Sequence, residues 1–226
     1  MQPKQDPLAP SQRMRIAYLL AFVGGYLDAY TYRVRGGVFA NTQTGNVVKL
    51  GIALADGRAE ACLTYLLPIG VFVAGLFVTL HIEELLTLRK LRLVRRVVLT
   101  LEMCVLAIVG LIPLGQEWDL LANSLVSFVA AMQYESFTMF HGNAIATTMT
   151  TGNLRKFVDC LFRGTIHQEP KELARAGKFL IVIVAFFAGA LVSSRVSNSM
   201  KAEAVMPAIA VLGLTIVIIT VLHHLR

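Results

Sequence analysis

Six apolar stretches alternate along the chain with polar connections, at about residues 14–33, 64–82, 94–114, 119–139, 178–196 and 204–223, each bounded by charged side chains. A bilayer's hydrocarbon core of about 30 Å takes about 20 mainly apolar residues per helix. The pattern therefore predicts an all-α, polytopic membrane helix bundle with about six transmembrane helices. Two further stretches, Gly37 to Ala55 and Asn143 to Phe162, are moderately apolar but carry Asn, Thr, Gln and Lys or Arg. Irregular backbone at membrane depth is tolerated only when buried in protein or lining a watery cavity. Both are read as re-entrant or half-membrane segments.

The pattern repeats. Phe22-Val23-Gly24-Gly25 resembles Phe128-Val129-Ala130-Ala131, and after a one-residue shift Asp28 falls opposite Glu135, Tyr30 opposite Phe137, and Thr44-Gly45-Asn46 opposite Thr151-Gly152-Asn153. Phe72-Val73-Ala74-Gly75 matches Phe186-Phe187-Ala188-Gly189 after a few inserted residues. Each half reads as span, TGN segment, span, span, with repeat one at 14–115 and repeat two at 119–223. Three spans per half is odd, so the second half enters the membrane from the opposite face and the repeat is inverted, 3+3. Inverted repeats with interrupted helices at their interface build the solute sites of many secondary transporters.

Composition sharpens this picture. Of the 226 residues 56% are hydrophobic and only 15% charged, against about 25% charged in soluble domains. No Ser-, Pro- or Gly-rich linker divides the chain, so 1–226 is expected to form one membrane domain. The net charge of +7 is not gathered with aromatics into a nucleic-acid footprint; basic residues lie at the ends of apolar runs. With the N-terminus inside, fifteen of the 21 Lys and Arg fall in cytoplasmic segments, the Arg89 to Arg96 cluster among them, while Arg33, Arg35, Lys49, Arg58, Arg195 and Lys201 fall outside. This satisfies the positive-inside rule and puts both termini in the cytoplasm. Residues 1–13 form a polar cytoplasmic N-terminus. The run Ile16 to Gly25 follows Arg13 and Arg15 as in a signal peptide, but Asp28 and the lack of a small-x-small cleavage site predict that it is retained. Cys62, Cys104 and Cys160 are odd in number and widely spaced, which excludes a disulfide framework and a zinc pattern.

Gly24-Gly25-Tyr26-Leu27-Asp28-Ala29, Phe39-Ala40-Asn41-Thr42-Gln43-Thr44-Gly45-Asn46 and the second Thr-Gly-Asn resemble the YoaK family of small bacterial inner-membrane proteins, over nearly the whole chain. The resemblance implies a multi-pass protein of the bacterial inner membrane. It implies no substrate, since that family is a domain of unknown function. Ala146-Thr147-Thr148 replaces Phe39-Ala40-Asn41 in the second half, so the two segments differ.

Candidate chemistry centres on these segments. An ionised carboxylate within a span is costly and turns toward a cavity or a partner. Asp28 is thus a candidate for proton or cation coupling, or else pairs with Arg33 or Arg35 or caps a neighbouring helix. Glu135 is its repeat mate. Glu102, nearer the middle of the third span, is expected to have a structural partner in Arg95 or Arg96. Thr and Asn offer short donors and acceptors, and Gly allows close approach. If each TGN opens a half-helix, its free N–H groups favour an anion or a carboxylate-bearing solute; the alternative is helix capping with no ligand. The candidate substrate-binding residues are Asp28, Asn41, Thr42, Thr44, Gly45, Asn46, Glu135, Thr148, Thr151, Gly152 and Asn153.

Gly75 with Thr79, and Ala185 with Gly189 and Ser193, place small residues on one helix face for close packing, and Pro68 and Pro207 are expected to kink their spans. The histidines form no metal set, no cofactor is expected, and no GxSxG, HExxH, phosphate loop or dinucleotide fingerprint marks an enzyme. The expected function is a transporter or channel for a small polar solute; the alternative is a non-transporting membrane scaffold or stress-associated protein. The expected partners are the lipid bilayer, an unidentified small solute and a second copy in a homodimer, with no nucleic acid.

Overall fold

The computed structural model describes residues 13–85 and 88–224. The polar stretch 1–12 and Arg226, both counted above as cytoplasmic, lie outside the described residues. The rest is helical: α1 Met14–Val34, α2 Thr44–Ala55, α3 Ala59–Leu85, α4 Leu88–Leu111, α5 Gln116–Ser136, α6 Thr151–Ile166, α7 Pro170–Met200 and α8 Met206–His224. The segments between these helices are loops, which include a 3-10 turn at Lys201–Val205 and a small hairpin, β1 Met139–Phe140 with β2 Asn143–Ala144, antiparallel with Phe140 opposite Asn143.

Several helices outrun the apolar stretches that predict them. α3 begins at Ala59 rather than 64, and α7 at Pro170 rather than 178. Charge does not end a helix, because Lys, Arg and Glu are good helix formers; proline at the first position of α7 is preorganised for the turn and forfeits only an N–H that is orphaned anyway. The same rule corrects the expectation for Pro207. It is the second residue of α8, at the junction with the preceding 3-10 turn, so it lies at the start of that helix rather than within it. Pro68 does lie inside α3.

α1 packs along α7, α3 along α5, α5 against α4 and α8 against α1, while α2 and α6 lean on α3 and α7. Under the sequence repeat α1 corresponds to α5, α2 to α6, α3 to α7 and α4 to α8, so every one of these pairings has its counterpart. The long contacts are made through small residues. A Cβ on Gly25 would lie 2.0 Å from the Phe186 carbonyl oxygen, and one on Gly75 would lie 2.8 Å from that of Phe128.

The core is apolar side chains of α1, α4, α5, α7 and α8, including Ile16, Leu20, Leu99, Leu106, Phe179 and Leu212. Tyr26 and Tyr30 donate to Ala204 O (2.6 Å) and Ala202 O (2.9 Å), tying α1 to the 3-10 turn. Arg35 is fully buried and joins the same cluster through Tyr30. Its Nε donates to the Tyr30 hydroxyl, its Nη1 to Pro113 O and Asp119 Oδ1, and its Nη2 to Val109 O and Ile112 O. One guanidinium therefore satisfies the end of α4 and pairs with the start of α5.

The outer surface is largely apolar. Phe77, Leu111 and Phe187 are 72%, 80% and 65% exposed, far beyond the isolated apolar patches of a water-soluble surface. Two helical stretches, Ala59–Leu85 and Pro170–Leu222, are long and apolar enough to cross a membrane.

Candidate functional site

The two polar segments share one design. Each runs irregularly toward the centre and becomes helical at the threonine of its TGN motif, Thr44 and Thr151. In the first, Asn46 Nδ2 donates to Phe39 O (2.8 Å) and Phe39 N donates back to Asn46 Oδ1 (3.1 Å). In the second, Asn153 Nδ2 donates to Ala146 O (2.6 Å) and Ala146 N donates to Asn153 Oδ1 (3.3 Å). Lys49 Nζ donates to Gly37 O and Lys156 Nζ to Ala144 O at the same spacing. The asparagines are thus loop clasps: a side-chain amide pairs with a backbone amide seven residues earlier and fixes the entry to the helix. Neither helix receives a side-chain cap, so the first N–H groups of α2 and α6 have no capping side chain.

The segments meet beside α1. A Cβ on Gly24 would fall 2.4 Å from Thr147 O, 3.1 Å from Asn41 Nδ2 and 3.2 Å from Thr148 Cα, so a side chain of the first segment and backbone of the second crowd this glycine. One turn on, Asp28 receives the first segment: Asn41 N donates to Oδ1 (3.1 Å) and the Thr42 hydroxyl to Oδ2 (2.6 Å). Ser127 of α5 donates to Ala40 O (2.8 Å) and holds the same strand of chain from the far side.

A cavity of about 710 Å³ opens between these parts. Its walls are Asp28 and Arg33 of α1, Thr42, Thr44 and Gly45 of the first segment, Met149 to Thr151 of the second, and Phe186, Ala190 and Ser194 of α7. The candidates divide accordingly. Asp28, Thr42, Thr44, Gly45 and Thr151 line the cavity. Asn41, Asn46, Thr148 and Asn153 are buried outside its lining; the three asparagines hold backbone carbonyls, while the Thr148 hydroxyl makes no hydrogen bond. Gly152 and Glu135 are not in its lining.

Glu135 diverges from its repeat mate. It is half-buried, receives no hydrogen bond corresponding to those on Asp28, and lies near Glu83 of α3. Asp28 does not pair with either arginine considered for it: Arg33 Nη2 donates to Asn198 Oδ1 (2.9 Å) and Arg35 is spent on α4 and Asp119. Glu102 likewise has neither Arg95 nor Arg96 as its partner. It is 1% exposed and faces Gln133, whose amide, turned with its nitrogen toward the carboxylate, donates to Oε2 at 2.9 Å. In that orientation the Gln133 amide oxygen faces the buried Thr147 hydroxyl (3.4 Å) and can accept from it, which links Glu102 to the second polar segment. Among the described residues no group of three His, Cys, Asp or Glu could hold a metal ion.

Sequence reasoning missed the α7 wall. Phe186, Ala190 and Ser194 recur every four residues, one position on from the small stripe Ala185, Gly189 and Ser193. A helix face adjacent to a packing seam is the signal that could have found them.

The chain belongs to the DUF1275 family, described as a protein of unknown function, which matches residues 16–219. No curated protein and no solved structure matches it.

Proposed function

We propose that this chain is a multi-pass membrane protein that carries a small polar solute, with the cavity between the two TGN segments as its binding site and no chemical conversion of the solute. The observation that carries the proposal is that two interrupted segments, one from each half, line a single cavity together with a buried carboxylate. Interrupted helices of this kind at a repeat interface are where secondary transporters bind their solutes. The apolar outer surface supports a bilayer as the surrounding medium. At 12 residues α2 is about 18 Å long, too short for a hydrocarbon core of about 30 Å, which supports the half-membrane reading. The paired helix contacts support the 3+3 inverted repeat, and the charge count supports cytoplasmic placement of the Arg96 end.

The test is flux in proteoliposomes over a panel of radiolabelled amino acids, organic acids, amines and sugars, with wild type beside Asp28→Asn and Thr44→Trp. Flux of at least one class that is lost in Thr44→Trp, with the protein still folded, is the expected result. Absence of flux for every class, or flux untouched by both variants, overturns the carrier reading in favour of a membrane scaffold.

A further inference from the structure

The cavity is lined by one carboxylate and one guanidinium, Asp28 and Arg33, which do not pair with each other. Asp28 is 6% exposed, faces the cavity, and is held only by neutral donors, the Asn41 N–H and the Thr42 hydroxyl and N–H. Among the described residues no cation pairs with it. Arg33 is hydrogen-bonded to Asn198, Arg35 is paired with Asp119, and Lys49 lies over the Tyr32 and Phe39 rings, 4.5 and 5.0 Å from their centroids. A carboxylate removed from water needs an opposite charge or several hydrogen bonds to its ionised form. Asp28 has the hydrogen bonds but no opposite charge, and a cationic group in the cavity would supply that charge.

A lone cation would nevertheless meet unfavourable neighbours. Thr44 and Gly45 open α2 and Thr150 and Thr151 open α6, both helices lack a side-chain cap, and Arg33 lines the same space. Free N–H groups at a helix start favour negative charge. The cavity thus offers an anionic point on α1 and cation-like surfaces on the two segment ends. Phe39, Met149 and Phe186 add apolar wall.

We infer that the solute is a small zwitterion, an amino acid or a close analogue, with its ammonium group on Asp28 and its carboxylate toward the starts of α2 and α6. This rests on the carrier reading for the location of the site, while its test reads binding and not flux.

The full chain in lipid nanodiscs is titrated with glycine, L-alanine and L-leucine, each beside its deaminated acid and its decarboxylated amine. Expected is binding of at least one zwitterion, roughly tenfold or more tighter than either truncated counterpart, the scale of one lost charged contact. Asp28→Asn keeps an oxygen for the Asn41 N–H and is expected to erase the advantage over the acid. Thr151→Trp, from an exposed position, is expected to block all binding. Acid or amine binding as tightly as the zwitterion overturns the solute class, as does zwitterion affinity unchanged in Asp28→Asn, or no binding of any probe. Flux of other solutes without zwitterion binding would leave the carrier reading standing and sink this one. Zwitterion binding without flux would do the reverse.

Discussion

Gly189 of α7 lies against Phe22 of α1 so closely that a Cβ on the glycine would sit 2.0 Å from the Phe22 carbonyl oxygen. Its counterpart Gly25 meets the Phe186 carbonyl at the same distance. The α1–α7 contact is thus backbone on backbone at two points, with no flexible side chain to give way. Gly189→Val and Gly25→Val are expected to force these helices apart and abolish recovery of folded protein. Gly177 lies on the same helix with open space around it, and Gly177→Ala should hold or raise stability by about 0.5–1 kcal/mol through helix propensity. Monodisperse yield and unfolding temperature in detergent check both. Equal tolerance at Gly177 and Gly189 would refute the close contact.

Asn46 and Asn153 perform the same task on unequal loops, which sets up a paired comparison. Each alanine variant leaves a part-buried backbone N–H and C=O without the asparagine, at a cost of about 1 kcal/mol. Asn46 also donates to Gln43 Oε1, whereas Asn153 donates to Met149 O. Asn46→Ala should therefore speed amide hydrogen exchange over residues 38–47, and Asn153→Ala over 145–154, each leaving the other loop protected. Exchange that rises in both loops from one substitution would mean that the segments do not open independently.

Arg35 is a stability hub rather than a surface charge. Its fork spans five acceptors, and lysine supplies three donors from a single point, so Arg35→Lys leaves α4 carbonyls unpaired and Asp119 without its geometry. Breaking a buried pair costs about 3–5 kcal/mol. A fall in unfolding temperature well beyond that of Arg58→Lys, whose ion pair with Asp56 is exposed, is the expected outcome. Equal small effects would contradict it.

Apolar run length located the six long helices because it is a local property, and the repeated TGN motifs pointed to the segments that line the cavity, each threonine starting a helix. What stayed illegible was pairing. Asp28, Arg33, Arg35, Asp119 and Glu102 are all visible as charges, but which of them meet depends on how α4, α5 and α7 sit around α1. Arg35 went to carbonyls at the end of α4, 74 to 78 residues away in sequence, and no spacing rule reaches that far. The repeat suggested equal roles for Asp28 and Glu135. Only Asp28 has a hydroxyl waiting for it, at Thr42, where the second segment carries Met149.

The inverted repeat proposed above makes a prediction about sidedness that needs no ligand. The turn between α2 and α3 bears Gly57 and the turn between α6 and α7 bears Gln168, and both residues adopt positive φ, 68° and 56°. They are corresponding corners of the repeat, so inversion places them on opposite faces of the membrane: Gly57 outside and Gln168 inside under the charge rule. Cys62, Cys104 and Cys160 are first replaced by Ser or Ala, and single cysteines are then introduced as Gly57→Cys and Gln168→Cys. In intact cells an impermeant maleimide should modify the first and spare the second, and permeabilisation should expose the second. Gln168 is exposed and Gly57 borders open space, so failure to react could not be ascribed to burial. Labelling of both from the same side would mean that the halves run in parallel, and the two TGN segments could then no longer enter from opposite faces to share one cavity.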